Sequence, residues 1–155
     1  MLSKTANMQS LFSELCESHL KLTAYAKQAD TELKHNIARM FKALAFSKEI
    51  QALNVLKHMG YVKKTDSNIK RCLNNAVVPL TLGENASWEE LTEKFDIIEE
   101  KSHHIYLCAR DTSEVDMDIS LGDINVCSKC GYTLPGNAPH ECAVCHAAPG
   151  YFRIF

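Results

Sequence analysis

The sequence predicts a mainly α-helical protein that ends in a small metal-binding β-ribbon. Two observations lead to this fold class. Across residues 1–110 the apolar side chains recur every three or four positions, which is the period of an amphipathic helix. Across residues 126–155 four cysteines occur as two Cys-x-x-Cys pairs, separated by turn-forming Pro and Gly, and this spacing is typical of a metal site.

Two long helices are predicted at the start of the chain. Residues 7–29 contain an apolar stripe that begins with Leu11 and Leu15, and the segment has no Gly or Pro. Asp-Thr at its end predicts a break and an N-cap. A second helix is predicted over residues 31–59, with Gly60 as its C-terminal stop. The short connection predicts an antiparallel helical hairpin.

In the middle of the chain most helix signals are weak, but the sequence that starts at Ser87 predicts a helix strongly. A short helix is predicted around Ser67–Leu73, followed by an apolar connector over residues 77–82. Ser87-Trp88-Glu89-Glu90 has the pattern of a capping box, which predicts the start of a helix that runs towards Ala109. The acidic residues 111–125 are interpreted as a linker, with an extended segment that pairs with the metal domain as a further option.

The predicted metal ligands are Cys127, Cys130, Cys142 and Cys145. Each pair lies on a tight turn that presents two sulfurs, and the intervening loop brings the pairs together around one ion. Two disulfides are the weaker interpretation, because the chain does not start like a secretory segment. One iron or zinc ion per chain is expected. The ligand set does not distinguish iron, which cycles by one electron, from zinc, which does not cycle.

The composition is that of an ordinary globular chain with an uneven charge distribution. Residues 1–77 hold twelve Lys and Arg against six Asp and Glu, whereas residues 78–155 hold five against thirteen. These are interpreted as solvated helix faces, or as halves that attract each other within or between subunits. The absence of a basic cluster with interleaved aromatics argues against nucleic acid, and no apolar run is long enough for a bilayer. A cytoplasmic location is expected.

The cysteine motif resembles a known domain. The segment Cys-x-x-Cys-Gly-Tyr, then Gly-x-Ala-Pro-x-x-Cys-x-x-Cys and Pro-x-x-Phe, closely resembles the rubredoxin-like domain that ends rubrerythrins. One departure is His146, where the family has a small residue. It is interpreted as an exposed turn residue, with a protonatable group beside the metal as the alternative.

The helical part resembles rubrerythrin more weakly, in the pattern of residue types over Ile37–Ala45 and around Tyr25. This resemblance implies a truncated ferritin-like helical bundle over residues 1–110. The acidic linker, residues 111–125, would follow, and then the rubredoxin-like domain with its four-cysteine metal site, residues 126–155.

The resemblance also implies where a di-iron site would be. In rubrerythrins the bundle binds two iron ions through Glu and His, and electrons for peroxide reduction arrive through the rubredoxin-like centre. Laid over that pattern without gaps, this chain has Leu15 at the first-helix Glu, and Lys48 and Gln51 at the second-helix Glu-x-x-His. Leucine cannot bind iron and an ammonium repels it. A di-iron centre is therefore not expected.

Other possible ligands fall later in the chain. Glu84 matches one third-helix Glu, but Ser87 stands at the position of the other. Glu100-Lys-Ser-His103 keeps a Glu-x-x-His spacing, which places both groups on one helical face, although an exposed acidic helix end is the preferred interpretation. Lys48 is predicted to form an ion pair with Glu84 or Glu100.

The helical part is short for a full bundle. Between Ser87 and Cys127 there is room for one helix and a linker. At most three long helices are therefore expected, and an apolar face would remain uncovered. A homodimer that completes the bundle is predicted, with coverage by the short helix or by the metal domain as the alternative.

Three functions follow from these interpretations. The first is one-electron transfer through a mononuclear Fe(Cys)4 centre, with a redox partner protein and the bundle di-iron site largely lost. The second is a non-enzymatic, zinc-stapled helical module for binding or assembly. The third is an active rubrerythrin-type peroxidase, an oxidoreductase, which the missing ligands argue against.

Overall fold

The computed structural model describes residues 4–74, 87–113 and 118–155. In these ranges it has four α-helices and a three-stranded sheet: α1 (Lys4–Thr31), α2 (His35–His58), α3 (Thr65–Asn74), α4 (Trp88–Ser113), β1 (Ile124–Cys127), β2 (Thr133–Pro135) and β3 (Phe152–Ile154). The predicted mainly α fold with a small C-terminal sheet is confirmed. No helix in the described ranges has the length and apolar content needed to cross a membrane.

The first two helices form the predicted hairpin, and α1 is longer than predicted. Helix α2 ends as expected, because Gly60 adopts a φ of +72° and the N–H of Tyr61 donates to the carbonyl of Leu56 at 3.0 Å. The predicted break at Asp30 and Thr31 is wrong, since both residues are helical and the turn follows them.

The cap of α2 comes from a distant residue. The Asp118 carboxylate accepts hydrogen bonds from the backbone N–H groups of Asn36 at 2.8 Å and Ile37 at 3.0 Å. Asp30, the acidic residue nearby in the sequence, instead accepts a hydrogen bond from the Lys42 ammonium at 2.8 Å. The start of α2 is therefore attached to the segment that leads into β1.

The later helices agree with the sequence signals. Helix α3 contains the predicted short helix. The connector at residues 77–82 lies outside the described residues. At the start of α4, the N–H of Glu90 donates to the Ser87 hydroxyl at 3.1 Å, which confirms the predicted N-cap. Helix α4 continues to Ser113, past the predicted start of the linker at residue 111.

The sheet has the order β2–β1–β3, and both pairings are antiparallel. Val126 in the central strand lies opposite Thr133 of β2 and Arg153 of β3. Strand β1 begins at Ile124, so the last two residues of the predicted linker belong to the sheet. All four β1 residues are buried, since the strand faces the helices as well as its two neighbours.

The buried side chains form two clusters, and each contains residues of both the helices and the tail. One joins Leu44 and Ile105 of the helices to Ile124 and Val126 of β1. The other joins helical residues to the metal-ligand cysteines; its helical members include Leu15, Val55, Phe95 and Ile98, and its cysteines are Cys127, Cys130 and Cys142. The C-terminal sheet therefore packs directly on the helices.

Candidate metal centre

Four cysteine sulfurs converge at one end of the sheet. The sulfurs of Cys127 and Cys145 lie 3.6 Å apart, those of Cys130 and Cys142 lie 3.7 Å apart, and all four lie within 4.8 Å of one another. A disulfide bond would require about 2.05 Å. Sulfurs arranged as a tetrahedron around an ion at about 2.3 Å would be about 3.8 Å apart, so this donor set fits one tetrahedral iron or zinc ion.

Backbone geometry holds both cysteine pairs on tight turns. In the first turn Gly131 has a φ of +89°, and its N–H donates to the Cys127 carbonyl at 2.8 Å. The N–H of Tyr132 points at the Cys130 sulfur at 3.4 Å, a contact of the kind that tunes metal–sulfur centres.

The second turn is similar, although a histidine occupies the left-handed position. His146 has a φ of +58°, and its N–H donates to the Cys142 carbonyl at 3.0 Å. The His146 side chain is exposed and its ring Nδ1 contacts the Glu141 carboxylate. It is an exposed turn residue, as preferred from the sequence, and it leaves the symmetry of the two turns intact.

The cysteines differ in exposure and in protonation. Cys127 and Cys142 are fully buried, whereas Cys145 is partly exposed. A hydrogen bond from the Cys130 side chain lowers the pKa of Cys127 to about 5, and burial raises the pKa of Cys145 to about 11. The same hydrogen bond, together with burial, raises the pKa of Cys130. Metal binding at this site therefore has to displace protons from the sulfurs with raised pKa.

Aromatic side chains close part of the site. Tyr132 and Phe152 are half-buried and pack against the cluster that contains the cysteines. Tyr151 is instead exposed, and the Lys129 ammonium lies 4.0 Å from its ring centroid. Tyr151 is the last residue of the short 3-10 turn (Pro149–Tyr151) that precedes β3.

The first cysteine turn is attached to helix α2. The Ser47 hydroxyl donates to the Gly131 carbonyl at 2.5 Å, and the Gln51 side-chain amide donates to the Ser47 hydroxyl at 3.2 Å. A Cβ on Gly131 would lie only 2.7 Å from the Ser47 carbonyl oxygen. Sequence reasoning missed Ser47; the available signal was a serine inside the apolar stripe of α2, four residues before Gln51.

The positions compared with di-iron ligands lie together in the bundle. Leu15, Lys48 and Gln51 are all buried and line one cleft, together with Glu99 of α4. Lys48 forms an ion pair with Glu99. The predicted ion pair of Lys48 therefore exists, with Glu99 in place of Glu100 among the described residues. Glu100 lies on a different face of α4, because one residue turns a helix by about 100°.

The remaining possible ligands do not join this cleft. Glu100 and His103 are both exposed, so the Glu-x-x-His pattern of α4 faces solvent. Glu84 lies outside the described residues.

Comparison with known proteins agrees with this architecture. No protein-family model matches the chain. The chain is 24% identical to Rubrerythrin-2 of Clostridium acetobutylicum over an alignment of 174 residues, which covers 96% of this chain and 94% of the relative. The resemblance to rubrerythrins is confirmed.

Solved structures extend this rubrerythrin-like similarity to the fold. A mixed-valence state of nigerythrin superposes with a TM-score of 0.72 at 18% identity, and covers all of this chain and 88% of its own. The fully reduced, all-ferrous state of nigerythrin gives a TM-score of 0.58 at 17% identity, with the same coverage. The chain is thus rubrerythrin-like in sequence and fold, with a four-cysteine site that fits the rubredoxin-like domain.

Proposed function

We propose that the protein transfers single electrons through a mononuclear Fe(Cys)4 centre held by Cys127, Cys130, Cys142 and Cys145. The single observation that carries this proposal is the convergence of four unlinked sulfurs at tetrahedral spacing. The rubrerythrin-like sequence and fold support iron as the bound metal.

The chain is suited to this role in two ways. Iron bound to four thiolates would alternate between ferric and ferrous states. The two tight turns fix the sulfurs, and the buried surroundings of Cys127 and Cys142 exclude water, so little has to rearrange when the charge changes. Partly exposed Cys145 offers the contact point for a redox partner protein.

We propose further that the bundle has lost its di-iron site. Leu15 offers no ligand, and the ammonium of Lys48 places a positive charge where a metal would bind. The ion pair with Glu99 uses a carboxylate that would otherwise be available to a metal. A rubrerythrin-type peroxidase activity in the bundle is therefore not expected.

The organisation and assembly are also proposed. The functional units are a ferritin-like helical domain that ends with α4 at Ser113, an acidic linker, and a rubredoxin-like domain that begins with β1 at Ile124, in a cytoplasmic protein. Helices α1 and α2 expose Leu20 at 66% and Leu53 at 41%, beside an apolar groove of about 320 Å³. A second copy of the chain would cover this surface in a homodimer.

A second candidate function is a non-enzymatic binding or assembly module in which zinc staples the tail to the helices. One observation favours it: the cysteines belong to the same buried cluster as Leu15, Val55 and Phe95. A redox-inert ion at this place would stabilise both parts of the chain.

Metal analysis with an absorption spectrum separates these functions. Protein expressed with ample iron and purified in air should be red, hold one iron per chain and bleach with dithionite. A colourless protein with one zinc per chain would favour the zinc-stapled module. Two further irons per chain, with peroxide consumption that Cys127→Ser abolishes, would establish the peroxidase and overturn the proposed loss of the di-iron site. Exposed Cys108→Ser is the matched control and should keep its metal.

A further inference from the structure

Helix α2 presents three polar side chains to the first metal turn. Ser47, Gln51 and Asn54 follow one another at spacings of four and three residues, so they lie on one face of the helix. The Ser47 hydroxyl donates to the Gly131 carbonyl at 2.5 Å. The Asn54 amide donates to the Lys129 carbonyl at 2.7 Å. This face of α2 therefore holds the backbone of the turn at two points.

The contact of Ser47 reaches a metal ligand through one peptide unit. The Gly131 carbonyl belongs to the unit whose N–H is that of Tyr132, and this N–H points at the Cys130 sulfur at 3.4 Å. The amide is conjugated, so a donor at its oxygen draws electron density away from its nitrogen and makes the N–H a stronger donor. Ser47 therefore strengthens the hydrogen bond to the sulfur of Cys130 without touching it.

The donors that act on this peptide unit are aligned. Because the single proton of the Ser47 hydroxyl goes to Gly131, Gln51 must face that hydroxyl with its N–H, and Nε2 donates to it at 3.2 Å. The Thr133 hydroxyl donates to the same carbonyl at 3.0 Å. All three side chains are buried, where hydrogen bonds polarise one another more strongly than in water. A continuous hydrogen-bond chain thus runs from Gln51 to the Cys130 sulfur.

We propose that Ser47, supported by Gln51, is a positioning residue that raises the reduction potential of the centre at the four cysteines. This inference rests on the proposed function, because it concerns an iron ion that takes up one electron from a redox partner. Reduction adds a negative charge that the sulfurs share, and a stronger N–H donor at Cys130 stabilises the more negative, ferrous form.

Asn54 acts in the same way on the neighbouring peptide unit. The N–H of the unit whose carbonyl accepts from Asn54 is that of Cys130, and it faces the Cys127 sulfur. Asn54 is partly exposed, so water can replace its donor when the side chain is removed. Its contribution to the reduction potential is therefore smaller than that of buried Ser47.

A spectroelectrochemical titration of the iron-loaded full-length protein tests the proposal. Ser47→Ala should shift the equilibrium constant for reduction about three- to tenfold towards the ferric form, which is about 30–60 mV at 59 mV per decade for one electron. Asn54→Ala should shift it in the same direction by a smaller factor. Ser128→Ala is the matched control, since this exposed serine lies in the same turn but outside the hydrogen-bond chain, and its potential should equal that of the wild type.

A second measurement does not require iron. In zinc-loaded, isotope-labelled protein, the amide proton of Tyr132 should move upfield in the magnetic resonance spectrum of Ser47→Ala, because its hydrogen bond to the Cys130 sulfur weakens. The amide proton of Ser128, which donates to the Tyr151 carbonyl, should keep its position. A general loosening of the turn would move both resonances and would overturn the specific role of Ser47.

The remaining outcomes separate this proposal from the proposed function. An unchanged potential in Ser47→Ala, when the wild-type protein is red and bleaches with dithionite, would overturn the role of Ser47 and leave electron transfer in place. An equal shift in Ser128→Ala would overturn it as well, because any lost hydroxyl would then have the same effect. Wild-type iron that does not cycle would overturn the proposed function, and the spectra of the zinc-loaded protein would still decide whether Ser47 acts on the Tyr132 N–H.

Discussion

The Ser47 hydroxyl donates a 2.5 Å hydrogen bond to the carbonyl of Gly131, which lies directly after the ligand Cys130. The two residues are 84 positions apart, so this contact joins the first metal turn to the middle of helix α2. The backbone oxygen of Ser47 also occupies the space that a side chain at residue 131 would need. Glycine is required here both by its φ and by the neighbouring helix.

We expect Gly131→Ala to lower the free energy of unfolding by about 2–4 kcal/mol, because a left-handed φ and a 2.7 Å contact with backbone oxygen add together. Gly136→Ala is the matched control, since Gly136 has a φ of +86° and nothing within 4 Å of its added Cβ. It should lose only about 1 kcal/mol. Urea unfolding of the metal-loaded protein measures both, and equal losses would mean that the turn does not pack on α2.

Removal of the metal should destabilise the helices as well as the tail. Cys142→Ser, or treatment with a chelator, is expected to lower the free energy of unfolding by more than about 3 kcal/mol, because the sulfurs share a buried cluster with Leu15 and Phe95. Metal release and loss of helical circular dichroism should coincide in one transition. Helices that keep their full stability after the metal has left would show that the two parts fold independently. Cys108→Ser changes an exposed cysteine outside the metal site, and it should leave the free energy of unfolding of the metal-loaded protein unchanged.

The ion pair of Lys48 and Glu99 should respond unequally to the loss of each partner. The Lys48 side chain is 11% exposed and that of Glu99 is 48% exposed. Glu99→Gln would leave a buried ammonium without its carboxylate and is expected to cost about 2 kcal/mol. Lys48→Met would leave a carboxylate that water can reach, and should cost less than about 1 kcal/mol.

Thermal unfolding of both single variants and of the double variant checks this order. The double variant should recover most of the stability lost by Glu99→Gln. Glu100→Gln, next in sequence but on a different face of α4, should change stability by less than about 0.5 kcal/mol. A larger cost for Lys48→Met than for Glu99→Gln would contradict the assignment of Lys48 as the desolvated partner.

Asp118 should stabilise the start of α2 from a distance. Asp118→Ala removes acceptors for the N–H groups of Asn36 and Ile37, and is expected to lower the free energy of unfolding by about 1–2 kcal/mol. Asp118→Asn keeps one acceptor oxygen and should lower the free energy of unfolding by less than Asp118→Ala does. Exposed Asp123→Ala controls for the general effect of removing an acidic residue near β1. Chemical denaturation compares the three, and the cap is excluded if Asp118→Ala behaves like the control.

Local patterns were sufficient for much of the fold and for the sulfur cluster. The Cys-x-x-Cys spacing places two sulfurs on each turn whatever the rest of the chain does, and the Ser87 cap depends on a residue three positions away. The apolar periodicity likewise predicted α1, α2 and α4. These features were predictable because the interactions that form them lie close together in the sequence.

Long-range contacts account for what was missed. The cap of α2 comes from Asp118, 82 residues after Asn36, so the nearby Asp30 and Thr31 were mistaken for it. The partner of Lys48 depends on how α4 is rotated against α2, which the sequence does not state directly. One signal was available: Glu99 follows buried Phe95 by four residues and therefore shares its helical face, whereas Glu100 does not.

The shared cluster of cysteines and helical side chains limits how the tail can move. If the tail left the helices to carry its metal ion between two distant binding sites, the side chains of Val55 and Phe95 would be exposed to water each time. That exposure makes such a cycle unfavourable. Any molecule that reacts at the sulfurs must therefore approach the stationary rim where Cys145 meets solvent.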